Sequence, residues 1–329
     1  MTDLILAGDI GGTKAHLLLV EPNGDPRHPR YEARLATQGA TSLEEILRRF
    51  LHEAQARPRL VSLGIPGPVI GGRVKPVNLP WEAEQNAIAA ACGAEHALFM
   101  NDLVATALGI PQLRPDELLP LAPGQPRADG PVGVLAPGTG LGLGWLTREG
   151  GRWRAHPSEG GNADFSPRGP RQRAVHAAIE AEYGQVPTEF LACGLGLPIM
   201  WRAMGTTGLR DAVATEAAIQ AAADPSPVIM AAAVDPVANP RCAAVAEDLA
   251  LILAQEASNM ALRWIATGGV YLAGGVTPRI LPWLKNPAVV AAFRRNRAHA
   301  TLLSQIPLTA VLNPGTAVLG AWAAAQDLA

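Results

Sequence analysis

Apolar side chains along residues 4–20, LILAGDIGGTKAHLLLV, fall into two runs separated by a glycine-marked turn, which predicts a β-hairpin. Residues 132–147, VGVLAPGTGLGLGWLT, repeat that grammar with small and hydroxyl residues in the turn. Each half of the chain thus opens with a hairpin whose turn is rich in backbone amides without Cβ cover, and two copies suggest either a duplicated fold or a coincidence of glycine-rich hairpins. In SLEEILRRFLHEAQA, 42–56, the spacing puts Leu43, Ile46, Leu47, Phe50, Leu51 and Ala54 on one helical stripe. Ser42 and Glu45 are spaced as a capping box at its start. LVSLGI at 60–65 and ALFM at 97–100 read as short buried strands, the second followed by Asn101, Asp102 and the helix-like LVATALG. Strand, helix and strand in alternation predict an α/β chain with a mainly parallel sheet covered by helices.

PSEGGNADFSPRG, 157–169, is a polar, Pro- and Gly-rich stretch between the strand RWRAH and a helix beginning near Pro170, and its length and decoration suggest a ligand loop. Helical patterns dominate 170–266, most clearly over 241–266. GGVYLAGG at 268–275 reads as a buried strand running into a double-glycine turn, and LTAVL with NPGTAVLGAWAAA as a final strand and helix. The Pro-rich IPQLRPDELLP places a boundary between the halves near 111–130.

Composition adds bounds. The 329 residues exceed the roughly 150 expected of one domain, which predicts two lobes with their own cores. Basic and acidic side chains number 27 and 29, a near balance that offers no footprint for nucleic acid or an anionic membrane. Only Lys14, Lys75 and Lys285 are lysines, a bias toward Arg that we read as coding preference. Cys92, Cys193 and Cys242 are odd in number and lack CxxC spacing, which argues against a disulfide framework and a cysteine-rich zinc site. MTDLILAGD carries no basic leader, and the longest apolar runs, such as LALILA at 249–254, fall short of the ~18 residues a bilayer crossing needs. The expectation is a cytoplasmic protein.

GDIGGTK, 8–14, is not a Walker A loop, because Thr13 separates the glycines from Lys14, and it leads into a strand rather than the helix of a dinucleotide fingerprint. What remains is a turn whose free N–H groups and Thr13 hydroxyl can cradle an anion, with Asp9 placed to hold a metal-bound water. Alone, it reads better as an ordinary tight turn with a solvated Asp. PGTGLG, 137–142, supplies a second set of glycine amides and Thr139; two such hairpins would clamp a triphosphate. AGGV at 273–276 would let an adenine lie against bare backbone, or simply pack strand on helix. Asp102, at the carboxyl end of a strand, is either a helix cap or a base that accepts a hydroxyl proton during attack on phosphorus. Glu159 in SEGG and Glu189 in PTEFL are candidates to bind sugar hydroxyls, although either alone is an ordinary solvated carboxylate. The seven histidines show no metal-ligand spacing, GxSxG and protein-kinase signatures are absent, and Trp81 and the other tryptophans read as packing residues.

Together these segments resemble the bacterial ATP-dependent glucokinases of the hexokinase and actin-like ATPase superfamily. GDIGGTKAHLLL resembles the first phosphate motif, PGTGLG the second, YLAGGV the adenosine motif, and NDLVATALG and NPGTAVLGAWA the two connecting motifs. LGIPGPV, VNLPW, SEGGNADFSP and EFLACGLGL follow in family order. The resemblance implies a two-lobed, duplicated actin-like ATPase fold of ribonuclease H type with an interlobe cleft. Its small lobe would be 1–111 completed by the C-terminal helix 310–329, and its large lobe 112–309. It implies transfer of the γ-phosphoryl group of MgATP to the 6-hydroxyl of glucose, and a homodimer. By the same resemblance Asp102 is the catalytic base, and Asn101, Asp102, Glu159 and Glu189 bind the sugar. Asp9, Gly11, Gly12, Thr13, Gly138, Thr139 and Gly140 face phosphates and Mg2+, with Asp9 reaching the metal through water, and Gly274 and Gly275 face adenine.

One position departs from the pattern. Family members usually read EGGH, with the His on the sugar, whereas this chain has Asn162, which still donates and accepts but is shorter and cannot become charged. Another hexose is therefore an alternative substrate. The cysteine-rich zinc motif of the related repressor and sugar-kinase family has no counterpart. A non-catalytic sugar-sensing regulator would carry a DNA-binding module ahead of the first strand, for which residues 1–3 leave no room. An ATPase acting on a protein partner is disfavoured by the sugar-contact set.

Overall fold

The computed structural model describes residues 3–76, 79–326 and 328; Val77 and Asn78 of the VNLPW segment lie outside the described residues. The first hairpin forms from β1 (Ile5–Ile10) and β2 (Lys14–Val20), antiparallel with Ile10 opposite Ala15. β3 (Tyr31–Ala36) adds antiparallel to β2. The amphipathic stripe becomes α1 (Leu43–Ala54), with the Ser42 hydroxyl accepting from Glu45 N–H. The reciprocal half of the capping box slips by one residue: the Glu45 carboxylate accepts from Thr41 rather than from Ser42. β4 (Leu60–Ile65) follows, then the short strands β5 (Val69–Ile70), β6 (Arg73–Val74) and β7 (Ala83–Glu84). α2 (Gln85–Cys92), β8 (His96–Asn101) and α3 (Asp102–Gly109) complete this part.

The next elements are β9 (Leu118–Ala122), β10 (Val132–Pro137), β11 (Leu141–Glu149) and β12 (Arg152–Ser158). A helical region follows: α4 (Gly169–Tyr183), α5 (Gly196–Met204), α6 (Val213–Ala221), α7 (Pro225–Ala232) and α8 (Pro240–Arg263). β13 (Gly269–Leu272) leads to α9 (Leu281–Leu284), α10 (Pro287–Arg294) and α11 (Ala300–Gln305). β14 (Leu308–Val311) and α12 (Thr316–Gln326) close the chain.

Two sheets repeat one connectivity. The first has the order β3-β2-β1-β4-β8 and the second β12-β11-β10-β13-β14-β9. In both, a three-strand meander is extended by two strands reached through crossovers: β4 and β8 run parallel to β1, and β13 and β14 parallel to β10. The sheets are mixed rather than mainly parallel, because strands joined by a tight turn must run antiparallel and only crossover connections permit parallel pairing. The duplication foreseen from the two hairpins is thus present in the strand order.

The chain divides into two compact units, Met1–Glu117 with Leu146–Pro157 and Asn313–Ala329, and Leu118–Trp145 with Ser158–Leu312. In the first unit Leu6, Leu17, Leu63, Leu47 and Phe50 belong to one buried cluster, with α1 against the sheet. Phe50 is fully buried, and truncating such a side chain to Ala costs about 3–5 kcal/mol. Ala7, Leu18, Val318 and Ala321 form a second cluster where α12 covers the sheet. α3 and α12 cross at glycines: a Cβ on Gly109 would lie 2.0 Å from Thr316 O, and one on Gly320 1.7 Å from Ala105 O. In the second unit α8 is buried along most of its length, as befits a helix apolar on nearly all sides. Arg241 on α8 lies over the Trp201 ring at 3.6 Å, and Asp211 accepts from Trp201 Nε1 at 2.8 Å, so α5 and α8 share a buried polar network. Among the described residues no helix is long and apolar enough to cross a membrane.

Candidate active site

In the first unit the parallel strands β1, β4 and β8 bring their carboxyl ends to one edge of the sheet, the place where open α/β sheets gather ligands. Register sets Asp9 opposite Gly64 and Gly64 opposite Met100, so the ends of the three strands lie side by side. β8 ends at Asn101, whose side-chain oxygen caps α3 by accepting from Leu103 N–H at 2.9 Å. Its Nδ2 donates to Gly67 O at 3.2 Å, which leaves Asn101 one N–H and one lone pair for a ligand. The cap is therefore Asn101, and Asp102 is the first residue of the helix. Asp102 Oδ1 also accepts from Leu103 N–H at 2.9 Å.

Burial, and then the nearby Asp102 carboxylate, push Asp9 up to about 7. Burial raises Asp102 as well, against the lowering effect of the Leu103 N–H. Two desolvated carboxyls so close are unfavourable without a cation, and among the described residues neither has an ion-pair partner. This donor set suits a divalent cation. Among the described residues no cluster of three or more His, Cys, Asp or Glu could hold a metal unaided, so such an ion would complete its shell with water and phosphate oxygens.

The turn between β1 and β2 closes with Gly11 N–H donating to Lys14 O at 2.8 Å. Thr37, fully buried just past β3, holds it from outside: its hydroxyl donates to Gly11 O at 2.9 Å and its N–H to Thr13 O at 3.1 Å. A peptide is planar, so tying down Gly11 O turns Gly12 N–H the opposite way. Gly12 is half-buried and Thr13 exposed at the tip.

In the second unit the turn between β10 and β11 closes one residue tighter, with Gly138 N–H donating to Gly140 O at 2.8 Å. Segment 188–196 wraps around it. Gly194 N–H donates to Gly138 O at 2.8 Å, Leu195 N–H to Thr139 O at 3.3 Å, and Leu141 N–H to Glu189 Oε2 at 2.7 Å. On the other side Ala273 N–H donates to Leu135 O and Val276 N–H to Pro137 O, which seats Gly274 and Gly275 against the start of the turn. Gly274 has φ +75°, and a Cβ there would meet Pro137 O at 2.5 Å, so the position demands glycine on two counts.

Glu159 caps and Asn162 ends a short helical turn, with Asn162 N–H donating to Glu159 O at 3.0 Å. Both are exposed, and among the described residues their side chains make no hydrogen bond. Gly161 lets this turn sit on the second hairpin, since a Cβ would fall 2.2 Å from Leu141 O. Thr188 donates both its N–H and its hydroxyl to Ala163 O, linking the Glu159 loop to the Glu189 segment.

The structure thus gathers Asp9, Gly11, Gly12, Thr13, Asn101 and Asp102 within the first unit. It gathers Gly138, Thr139, Gly140, Glu159, Asn162, Glu189, Gly274 and Gly275 within the second. Sequence reading missed the residues that hold these in place. Thr37 gave no signal of its own, and Gly194 and Leu195 only the closely spaced glycines of EFLACGLGL. Gly64 gave one: a glycine inside an apolar strand marks a close approach, and a Cβ there would lie 2.7 Å from the Ala105 Cβ and 3.7 Å from Asp102 Cα.

Comparison with known proteins is consistent along the whole chain. A family model described as Glucokinase matches residues 6–328. A glucokinase of Nostoc punctiforme is 31% identical over 336 residues, covering 97% of this chain and 97% of that protein. One of Rhizobium meliloti is 33% identical over 319 residues, covering 96% and 90%. A glucokinase crystal structure from an Antarctic psychrotroph superposes with TM-score 0.85 at 24% identity, covering 99% of this chain and all of that one. A ROK family glucokinase from Streptomyces griseus, in complex with glucose and AMPPNP, superposes with TM-score 0.64 at 19% identity over 99% of both chains. The fold is the two-lobed, actin-like ATPase fold of these sugar kinases.

Proposed function

This chain belongs to the glucokinase family, and we propose that it transfers the γ-phosphoryl group of ATP to the 6-hydroxyl of D-glucose, giving glucose 6-phosphate and ADP. The observation that carries the reading is the placement of Asp102. It is a partly buried carboxylate at the first position of α3, beside Asp9, with one oxygen bonded to Leu103 N–H and the other without a partner among the described residues.

Phosphoryl transfer asks a protein mainly to align the reactants and stabilise charge. The free Asp102 oxygen accepts the proton of the 6-hydroxyl as that oxygen bonds to the γ-phosphorus. The bond between the γ-phosphorus and the bridging oxygen breaks, and its electron pair leaves with ADP. Burial, which raises Asp102, strengthens it as a base. Asn101, Glu159, Asn162 and Glu189 hold the other sugar hydroxyls. Gly11, Gly12, Thr13, Gly138, Thr139 and Gly140 hold the phosphates through N–H and hydroxyl groups, and Gly274 and Gly275 accommodate adenine. Asp9 would hold a magnesium ion, which when bound would offset charge on the phosphates.

Family membership also supports a homodimer and a cytoplasmic location. The near balance of charge supports a function without nucleic-acid or membrane partners. Asn162 favours a second reading, a preference for another hexose. The test is a coupled ADP-release assay over glucose, mannose, glucosamine, N-acetylglucosamine and fructose. Glucose should be turned over with the highest kcat/KM; activity confined to a different sugar would establish the second reading, and none with any sugar would leave a regulator.

A further inference from the structure

The segment carrying Glu189 does more than present a carboxylate. Its backbone N–H groups at Gly194 and Leu195 take the carbonyls of Gly138 and Thr139, while Glu189 Oε2 takes the Leu141 N–H at 2.7 Å. That last bond is charge-assisted, the stronger kind. It also fixes the Gly140–Leu141 peptide plane, so that Gly140 O points back to meet Gly138 N–H and close the turn. Carboxylate and hairpin are in close contact: a Cβ on Gly140 would lie 2.5 Å from Oε2. The Glu189 backbone is itself secured, since Cys193 Sγ donates to Glu189 O at 3.0 Å and Thr188 is tied to Ala163.

We propose that Glu189 is a positioning residue of the nucleotide site as well as a sugar ligand: Oε2, bound to Leu141 N–H, holds the 137–141 hairpin in the shape that receives phosphates, and Oε1 is the oxygen left for a sugar hydroxyl. This rests on the reading of that hairpin as a phosphate cradle. The residue assigned to one substrate thereby sets the affinity for the other, even when the first is absent.

The experiment measures MgADP binding to the full chain by calorimetry with no sugar present, where the loss of a sugar ligand cannot register. Glu189→Ala should weaken MgADP about tenfold or more, the size expected for a hydrogen bond to a charged group. Glu189→Gln keeps an oxygen that accepts the Leu141 N–H, so its MgADP affinity should stay within about threefold of wild type while its KM for glucose rises about tenfold or more. Glu159→Ala, on the other loop, should leave MgADP binding unchanged. Unaltered MgADP affinity in Glu189→Ala, or equal weakening in the Ala and Gln variants, overturns the proposal. Should Glu189→Ala fail to fold, the Gln variant decides: normal MgADP affinity with raised glucose KM supports the assignment, and loss of both refutes it. A wild-type chain that binds MgADP yet phosphorylates none of the five sugars would sink the kinase reading while leaving this measurement valid.

Discussion

The turn at 10–14 is held by one neighbour, Thr37, which follows the adjacent strand and grips both Gly11 O and Thr13 O. The turn at 137–141 is held by a distant segment, through Gly194, Leu195 and the Glu189 carboxylate. The hairpins share a grammar of apolar run, glycine turn and apolar run, and they occupy the same place in the strand order of their sheets. In both, an outside N–H donates to the carbonyl of the turn threonine, but the supports come from unrelated parts of the chain and only the second uses a carboxylate. The chemistry differs too: two residues before Gly11 stands Asp9, whereas two residues before Gly138 stands Ala136. On the proposed reading, both copies keep a turn whose N–H groups suit an anion, and only the first adds a carboxylate, Asp9, suited to a cation.

The comparison is sharpest where the acids are removed. Asp102→Asn, nearly isosteric, should lower kcat by about a thousandfold with glucose binding within a few-fold of wild type, since a general base contributes in that range. Steady-state kinetics with direct glucose titration measures both, and near-normal turnover would take Asp102 out of the base role. Asp9→Asn should reduce kcat/KM for MgATP roughly 10- to 100-fold, the usual size of a disturbed metal environment. The same substitution has a signature in the chelator-treated, ligand-free protein. Asp9 titrates at about 7 in the fold against an ordinary 3.8, so its stabilising contribution is fully present below about pH 4 and is lost as pH rises through 7. The wild-type melting temperature should therefore fall between pH 5 and pH 8 more steeply than that of Asp9→Asn. Parallel slopes would contradict the raised value.

These two acids were legible in the sequence because their signals are local. Asp102 follows an apolar run and precedes a helical pattern; Asp9 precedes a glycine turn. Both hairpins, α1, α3 and the strands around them were visible for the same reason, since each rests on periodicity within a few residues. Thr37 is 26 residues from the carbonyl it holds, and Glu189 is 48 from Leu141, so no window along the chain joins them. Ala36–Thr37 ends an alternating stretch with nothing to distinguish that threonine from any other. The grouping of Leu146–Pro157 with the first unit was equally silent, because it begins in the middle of the continuous strand β11, where the apolar pattern runs on without a break. The EFLACGLGL segment did carry a mark, its closely spaced glycines. A Cβ on Gly194 would lie 3.1 Å from Gly138 O, and one on Gly196 2.6 Å from Phe190 O, so the spacing records how closely the backbone must approach.

Smaller effects separate the two supports. At Gly138 a Cβ would meet only Gly140 O, at 4.0 Å, and the space is otherwise open. Gly138→Ala should fold with a melting temperature near wild type, and any rise in KM for ATP would come from crowding the phosphates. Gly140→Ala should instead displace Glu189 Oε2, raising KM for ATP and for glucose together and costing about 1–3 kcal/mol in urea unfolding, as overpacking does. Equal behaviour of the two variants would mean that the carboxylate yields freely and is no support. In the other hairpin, Thr37→Val keeps the shape and the backbone bond to Thr13 O while losing the hydroxyl bond to Gly11 O. One buried hydrogen bond is worth about 1 kcal/mol, and Gly11 O would be left without that donor, so KM for ATP should rise a few-fold with kcat little changed. Thr37→Ser, which restores the hydroxyl without the methyl, should return KM toward wild type even if it melts slightly lower. That split between recovered affinity and unrecovered stability is what a positioning role predicts, and a Ser variant as impaired as the Val variant would reduce Thr37 to a packing residue.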